Sequence, residues 1–224
     1  MVTDQFIGAY GLGDYDAITL RKLLTGKQAQ AGVSISGLSE SVGGASTPND
    51  FETLMQLIYL RFEKPRFDKE VHQTMMQRNY AAIENSANNP QKIMQDSVSM
   101  IMSNYSPRTL LFGKEFLDIV SIEQTDEIYR DRIKDISDFT FFIVGNIDAE
   151  TVKPLVEKYL GSVKSYNRKE NWIDRKVRGP KGRTEKVIEL ELTTPKSTVI
   201  TNFSKEMKTS IHNNICLNIL RGVL

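Results

Sequence analysis

The sequence predicts an α+β fold in which a mostly antiparallel sheet is packed on one face by helices. Three observations carry that expectation. Residues 29–36 alternate, with Ala29, Ala31, Val33 and Ile35 on one face and Gln30, Ser34 and Ser36 on the other, the period of a half-buried strand. Residues 51–62 place Phe51, Leu54, Met55, Leu57, Ile58, Leu60 and Phe62 nearly all round a helix, as expected for one buried on more than one side. Residues 139–144, FTFFIV, form an unbroken β-branched and aromatic run fit for a central strand.

The elements follow in order. Residues 15–25 set Ile18, Leu20, Leu23 and Leu24 at near-helical spacing, and Gly26 stops them. After the strand at 29–36, Gly37 opens a turn, and residues 39–46 (SESVGGAS) read as a weak, glycine-softened partner strand. The pair makes a hairpin with one wet face. Thr47-Pro48-Asn49-Asp50 is a helix start: Thr47 to cap, Pro48 at the first helical position, Asp50 to favour the dipole. Pro65 ends that helix, and Asp68 begins another with Val71, Met75, Met76 and Ile83 on its apolar stripe. Asn89-Pro90 repeats the signal for a third, lined by Ile93, Met94, Val98, Ile101 and Met102. Ser106-Pro107 breaks the chain. Ser121-Ile122-Glu123-Gln124 has capping-box spacing and opens a helix to about Lys134. Asp148 caps a helix through Leu160, which Gly161 closes as a C′ residue. Strands are expected at 187–192 and 199–203, and an apolar-striped helix from 208 onward.

Composition narrows the function. The chain has 224 residues, 29 basic against 28 acidic, so its net charge of +1 gives no global field for nucleic acid. There is no apolar run long enough for a membrane span. One cysteine, Cys216, excludes an intrachain disulfide framework and a thiolate-only metal site. Met1 to Gln5 have neither a basic nor an apolar leader pattern, so no signal peptide is expected, and residues 218–224 stop inside an apolar helical pattern, as in a piece of something longer.

The motifs that carry chemistry elsewhere fail here. A catalytic zinc site on a helix needs H-x-x-E-H or H-E-x-x-H, which puts two imidazoles on one face. His72 and His212 are far apart, and neither has a second histidine nearby, so both read as ordinary helix residues. Gly32-Val33-Ser34-Ile35-Ser36-Gly37 misplaces the glycines of a nucleophile elbow and lies in an alternating strand. Gly26-Lys27-Gln28 lacks the hydroxyl and upstream glycines of a phosphate loop, and Gly11-Leu12-Gly13 lacks the third glycine of a dinucleotide fingerprint; both read as turn or cap. Residues 164–183 gather Lys164, Arg168, Lys169, Arg175, Lys176, Arg178, Lys181 and Arg183 around Tyr166 and Trp172. That pattern can grip single-stranded nucleic acid, but Glu170 and Asp174 dilute it and Gly179-Pro180 marks a loop, so a solvated linker is the reading. Cys216 falls in an apolar helical pattern and reads as a buried structural thiol. No catalytic or metal-binding residue is assigned, and the substrate-binding residues are left open.

Three stretches together resemble the pitrilysin/insulinase-type zinc metallopeptidases. The first runs from Gly11-Leu12-Gly13-Asp14 through Leu20-Arg21-Lys22-Leu23-Leu24-Thr25-Gly26-Lys27. The second is Gly43-Gly44-Ala45-Ser46, then residues 50–60 (DFETLMQLIYL) and Pro65-Arg66-Phe67-Asp68. The third is residues 138–148 (DFTFFIVGNID), then Tyr159-Leu160-Gly161. The resemblance covers residues 10–163 well and 184–224 loosely. It implies the α+β fold of the LuxS/pitrilysin type and a parent zinc endopeptidase of two halves that close around a peptide. The implied mechanism is metal-activated water attacking a peptide carbonyl. The zinc motif belongs to the other half and is absent here, so this chain resembles the non-catalytic half and is expected to be inactive and to hold no cofactor itself. An arginine and a tyrosine that help bind substrate are implied beyond Leu224. The rival reading is a non-enzymatic structural or processing-partner subunit of the same fold.

The domains expected are residues 1–163, most of one non-catalytic domain lacking its leading strands; a linker at 164–183; and residues 184–224, the opening of a second homologous domain. The implied partners are the catalytic half of the same polypeptide and a peptide or unfolded protein, without nucleic acid or a membrane span. A sheet left with an open edge is expected to be filled by the strands near 187–192 and 198–203, within the chain or across a dimer. Relatives occur in bacterial envelopes and in organelles, so location stays open.

Overall fold

The computed structural model describes residues 2–192 and 194–223, and the chain divides into two compact units. The first takes in residues 1–87 and 110–174, the second residues 88–109 and 175–224.

The first unit is built on a long helix. Helix α1 (Val2–Ala9), unassigned from the sequence, buries Phe6 and Ile7 and leads to buried Tyr10 and Leu12. Helix α2 (Ala17–Leu23) starts where Asp16 accepts from the backbone N–H groups of Ile18 and Thr19. Strands β1 (Ala29–Ile35) and β2 (Glu40–Ser46) form the expected antiparallel hairpin, with Val33 opposite Val42 and Ala31 opposite Gly44. Thr47 does not cap as expected. Its hydroxyl donates to Asp50 at 3.0 Å, while Asp50 also accepts from Gln28 N–H and pairs with Lys27, so the 3-10 turn Pro48–Asp50 is tied back to the hairpin.

Helix α3 (Phe51–Glu63) is buried on more than one side, as its pattern predicts: Phe51, Leu54, Met55, Leu57, Ile58 and Phe62 are all core. The inward face of the hairpin covers one side of it. Gly44 makes this approach possible. A Cβ there would lie 2.0 Å from the Gln30 carbonyl and 2.7 Å from Leu54 Cδ1, whereas Gly43 has open space. Helix α4 (Lys69–Ser86) begins on the expected Asp68 cap. Within the second unit, helix α5 (Pro90–Met102) begins on the Asn89 cap.

A short helix α6 (Lys114–Asp118), also unassigned from sequence, buries Leu117. Helix α7 (Ile122–Ile133) starts with Ser121 accepting from Gln124 N–H and buries Tyr129 and Ile133. Helix α8 (Ala149–Tyr159) starts on Asp148. Gly161 does close α8, donating to the Val156 carbonyl, but not in the left-handed conformation. It is glycine because a Cβ would sit 2.6 Å from the Glu157 carbonyl.

Two corrections concern strands. Residues 139–144 do not form one. Phe139 and Phe141 pack on Phe62, with ring centroids 5.2 and 6.2 Å away, but no neighbouring strand pairs with the run among the described residues. Residues 187–192 and 199–203, exposed apart from half-buried Ile188, join no β-ladder among the described residues. Helix α9 (Ile211–Val223) is formed as expected.

The contrast between the two glycines is testable. Gly44→Ala is expected to destabilise the first unit by roughly 2–3 kcal/mol, because backbone atoms must shift. Gly43→Ala is expected to be neutral or slightly stabilising. Urea unfolding of the two variants checks the difference.

Candidate functional site: a groove between two unpaired edges

The site is a groove of about 550 Å³ within the first unit. One wall is β2, residues 40–46, continuing to Pro48; the other is residues 138–147. The floor is apolar, from Phe51, Leu54, Met55, Ile58 and Leu160. Among the described residues, β2 pairs with β1 alone, which leaves its outer edge free. Across the groove, residues 140–147 make no backbone hydrogen bond to another described residue. Two rows of amide donors and carbonyl acceptors therefore flank one apolar trough, the arrangement that accepts an extended polypeptide by strand addition.

The outer wall is also unusually apolar for exposed chain. Phe142 is 86% exposed and Val144 96%, while Phe139 and Phe141 face inward. At one end of the groove, Arg132 reaches Glu40 at 3.6 Å and Glu170 at 3.1 Å, so its charge is already matched.

The residues singled out from sequence lie elsewhere. His72 is buried, with Nδ1 2.7 Å from the Tyr10 hydroxyl and its ring 5.0 Å from that of Phe6. Desolvation by burial lowers its pKa from the ordinary 6.5, against a smaller opposing pull from Glu123. It clamps α1 to α4. Gly11, Gly13 and Gly26 adopt positive φ, as turn residues do. The basic segment is partly consumed: Arg168 pairs with Asp131 and Glu170, and Arg183 with Glu185. The backbone N–H groups of Tyr166 and Arg168 donate to buried Asp135. Burial alone would raise the Asp135 carboxyl, yet these bonds and those from Ser137 hold it well below the usual range. Cys216 is exposed rather than buried, a correction, because no described residue covers its face of α9. His212 lies beside it. The groove was missed from the sequence, since it exists only where two segments come close without pairing.

Known proteins share the fold. Residues 122–224 match the family model described as "Peptidase M16 inactive domain". The fold is that of the M16 peptidases. The structure is similar to the periplasmic protease PqqL from Escherichia coli, with a TM-score of 0.63 and 18% identity over 73% of this chain and 18% of that one. It is also similar to the ferredoxin protease FusC, solved in complex with Arabidopsis ferredoxin, with a TM-score of 0.59 and 13% identity, again over 73% and 18% of the two chains. In sequence it is 21% identical to the probable zinc protease PqqL of Haemophilus influenzae over 220 residues, 96% of this chain and 23% of that one. The chain thus spans about a quarter of the curated relative it matches. The resemblance to the non-catalytic half of the pitrilysin/insulinase-type peptidases is borne out.

A zinc centre of that class does not fit the residues here: among those described, no three or more His, Cys, Asp or Glu side chains gather where they could hold a metal ion. No helix among the described residues is long and apolar enough to cross a membrane.

The His72 clamp gives a pH prediction. Its folded pKa is depressed, so the unfolded chain binds its proton more tightly. The contribution is full above pH 6.5 and is lost as pH falls below it, whereas the depressed carboxylates weaken the fold only below about pH 4. Urea stability of the first unit is expected to drop between pH 7 and 5, and to drop less in His72→Gln.

Proposed function

We propose that the chain is part of the non-catalytic half of a zinc-dependent endopeptidase, forming the chamber wall that faces the active half and taking peptide substrate in extended form. In this reading residues 184–224 open a second homologous domain. The catalytic half of the same polypeptide supplies the zinc and the bond-breaking chemistry, and the present segment supplies grip. The observation that carries the reading is the groove between β2 and residues 138–147, with its apolar floor and two unused backbone edges. Main-chain bonds on both sides hold a substrate strand whatever its sequence, and the floor favours apolar side chains at alternate positions. This suits an enzyme that takes unfolded segments rather than one motif.

The test uses the 224-residue chain with chelator present. An unfolded peptide mixture is expected to be retained on it, and N-methylation at alternate positions of a retained peptide is expected to weaken binding tenfold or more, since each lost edge bond is worth about 1 kcal/mol. The chain alone is expected to cleave nothing. No retention would overturn the binding role. Chelator-sensitive proteolysis by the purified chain would overturn the assignment to the non-catalytic half. A dimer that forms under chelator and competes with peptide would mean that the edge pairs two copies instead.

A further inference from the structure

Residues 164–170 are exposed and belong to the stretch whose composition reads as a linker, yet the first unit holds them along their length. Lys164 N–H donates to Glu63 Oε1 at the end of α3. The Lys134 ammonium stands 4.8 Å from the centre of the Tyr166 ring, Arg168 pairs with Asp131, and Glu170 meets Arg132 at 3.1 Å. Solvent-facing contacts of this kind are individually weak. The strong hold is at Asp135, which is buried. Its Oδ1 accepts from Tyr166 N–H at 2.9 Å, and its Oδ2 from Arg168 N–H at 2.7 Å. Asn167, between the two donors, has φ of 51°. That left-handed residue turns both flanking N–H groups to one side, as a backbone nest for the carboxylate.

The same carboxylate also holds the groove. Oδ1 accepts from Ser137 N–H at 3.1 Å and from the Ser137 hydroxyl at 2.7 Å. Ser137 lies in the 3-10 turn Ile136–Asp138, and the wall 138–147 starts from that turn. Withdrawing residues 164–170 takes the Arg168 donor from Oδ2 and the Tyr166 donor from Oδ1. A buried carboxylate stripped of those donors is costly, so the side chain turns toward water and gives up Ser137 as well.

We propose that residues 164–170 form a strap, latched by Asp135, whose docking and release set the order of the first turn of the groove wall. The strap leads the chain out of the first unit, which ends at Asp174, so movement of the chain that follows reaches the groove through one carboxylate. The device concerns the order of the wall and is independent of what the groove binds.

Hydrogen exchange read by mass spectrometry on the 224-residue chain tests it. Asn167→Gly keeps the left-handed turn and is expected to exchange like the wild type. Asn167→Val puts a β-branched residue where φ is positive, with little loss of contact because Asn167 is exposed. It is expected to speed exchange tenfold or more at residues 165–168 and also at 137–139, with α3 unchanged. Asp135→Asn turns one acceptor into a donor and is expected to do the same. Unprotected amides at Tyr166 and Arg168 in the wild type, or no change in Asn167→Val, would overturn the strap. Faster exchange confined to 165–168 would overturn the coupling. Loss of α3 protection in Asn167→Val would make these residues part of the core and overturn the latch.

Discussion

The first unit depends on the burial of α3 from more than one direction. Its apolar residues meet the hairpin on one side and α8 on another, while Tyr129 of α7 donates to the Arg61 carbonyl at 2.6 Å. Arg61 itself is 7% exposed and donates to the Ala31 carbonyl of β1, with Nε left without a partner among the described residues. Desolvation disfavours its charge. A buried guanidinium of this kind adds little net stability, but it ties α3 to β1 at one register, because a slip of the hairpin would strand the charge. The position of β2, and with it one wall of the groove, follows from that tie and from the missing Cβ at Gly44.

What was legible in the sequence was local. Asp68, Asn89, Ser121 and Asp148 all cap helices in the structure as expected, because a cap is settled by residues two or three positions on. The hairpin and the all-round burial of α3 were legible for the same reason: period and composition report which faces are apolar. The failures are non-local. FTFFIV has the composition of a central strand, yet a strand is defined by its neighbour, and the run has none here. Cys216 has the pattern of a core residue, yet burial needs something to be buried against. Thr47 has the identity of a cap, but Asp50 competes for its hydroxyl.

The candidate site was invisible for a related reason. No motif marks it, since its chemistry is that of the peptide backbone. The wet-faced hairpin was readable, and so was the idea of an open edge. That the second wall would be residues 138–147, and that aromatic packing of Phe139 and Phe141 on Phe62 would hold it in place unpaired, required coordinates.

The bare outer wall also governs how the chain behaves in a crowded solution. Thr140, Phe142 and Val144 face outward from a six-residue stretch with no charge and no proline, the composition that seeds stacked intermolecular sheets. A single charged residue, Asp138, stands at its boundary on one side and polar Asn146 beyond Gly145 on the other, so the gatekeeping is thin. This unpaired run is therefore the stretch most prone to recruit its own kind into fibrils. Occupation by a bound polypeptide would serve as protection against amyloid as well as recognition.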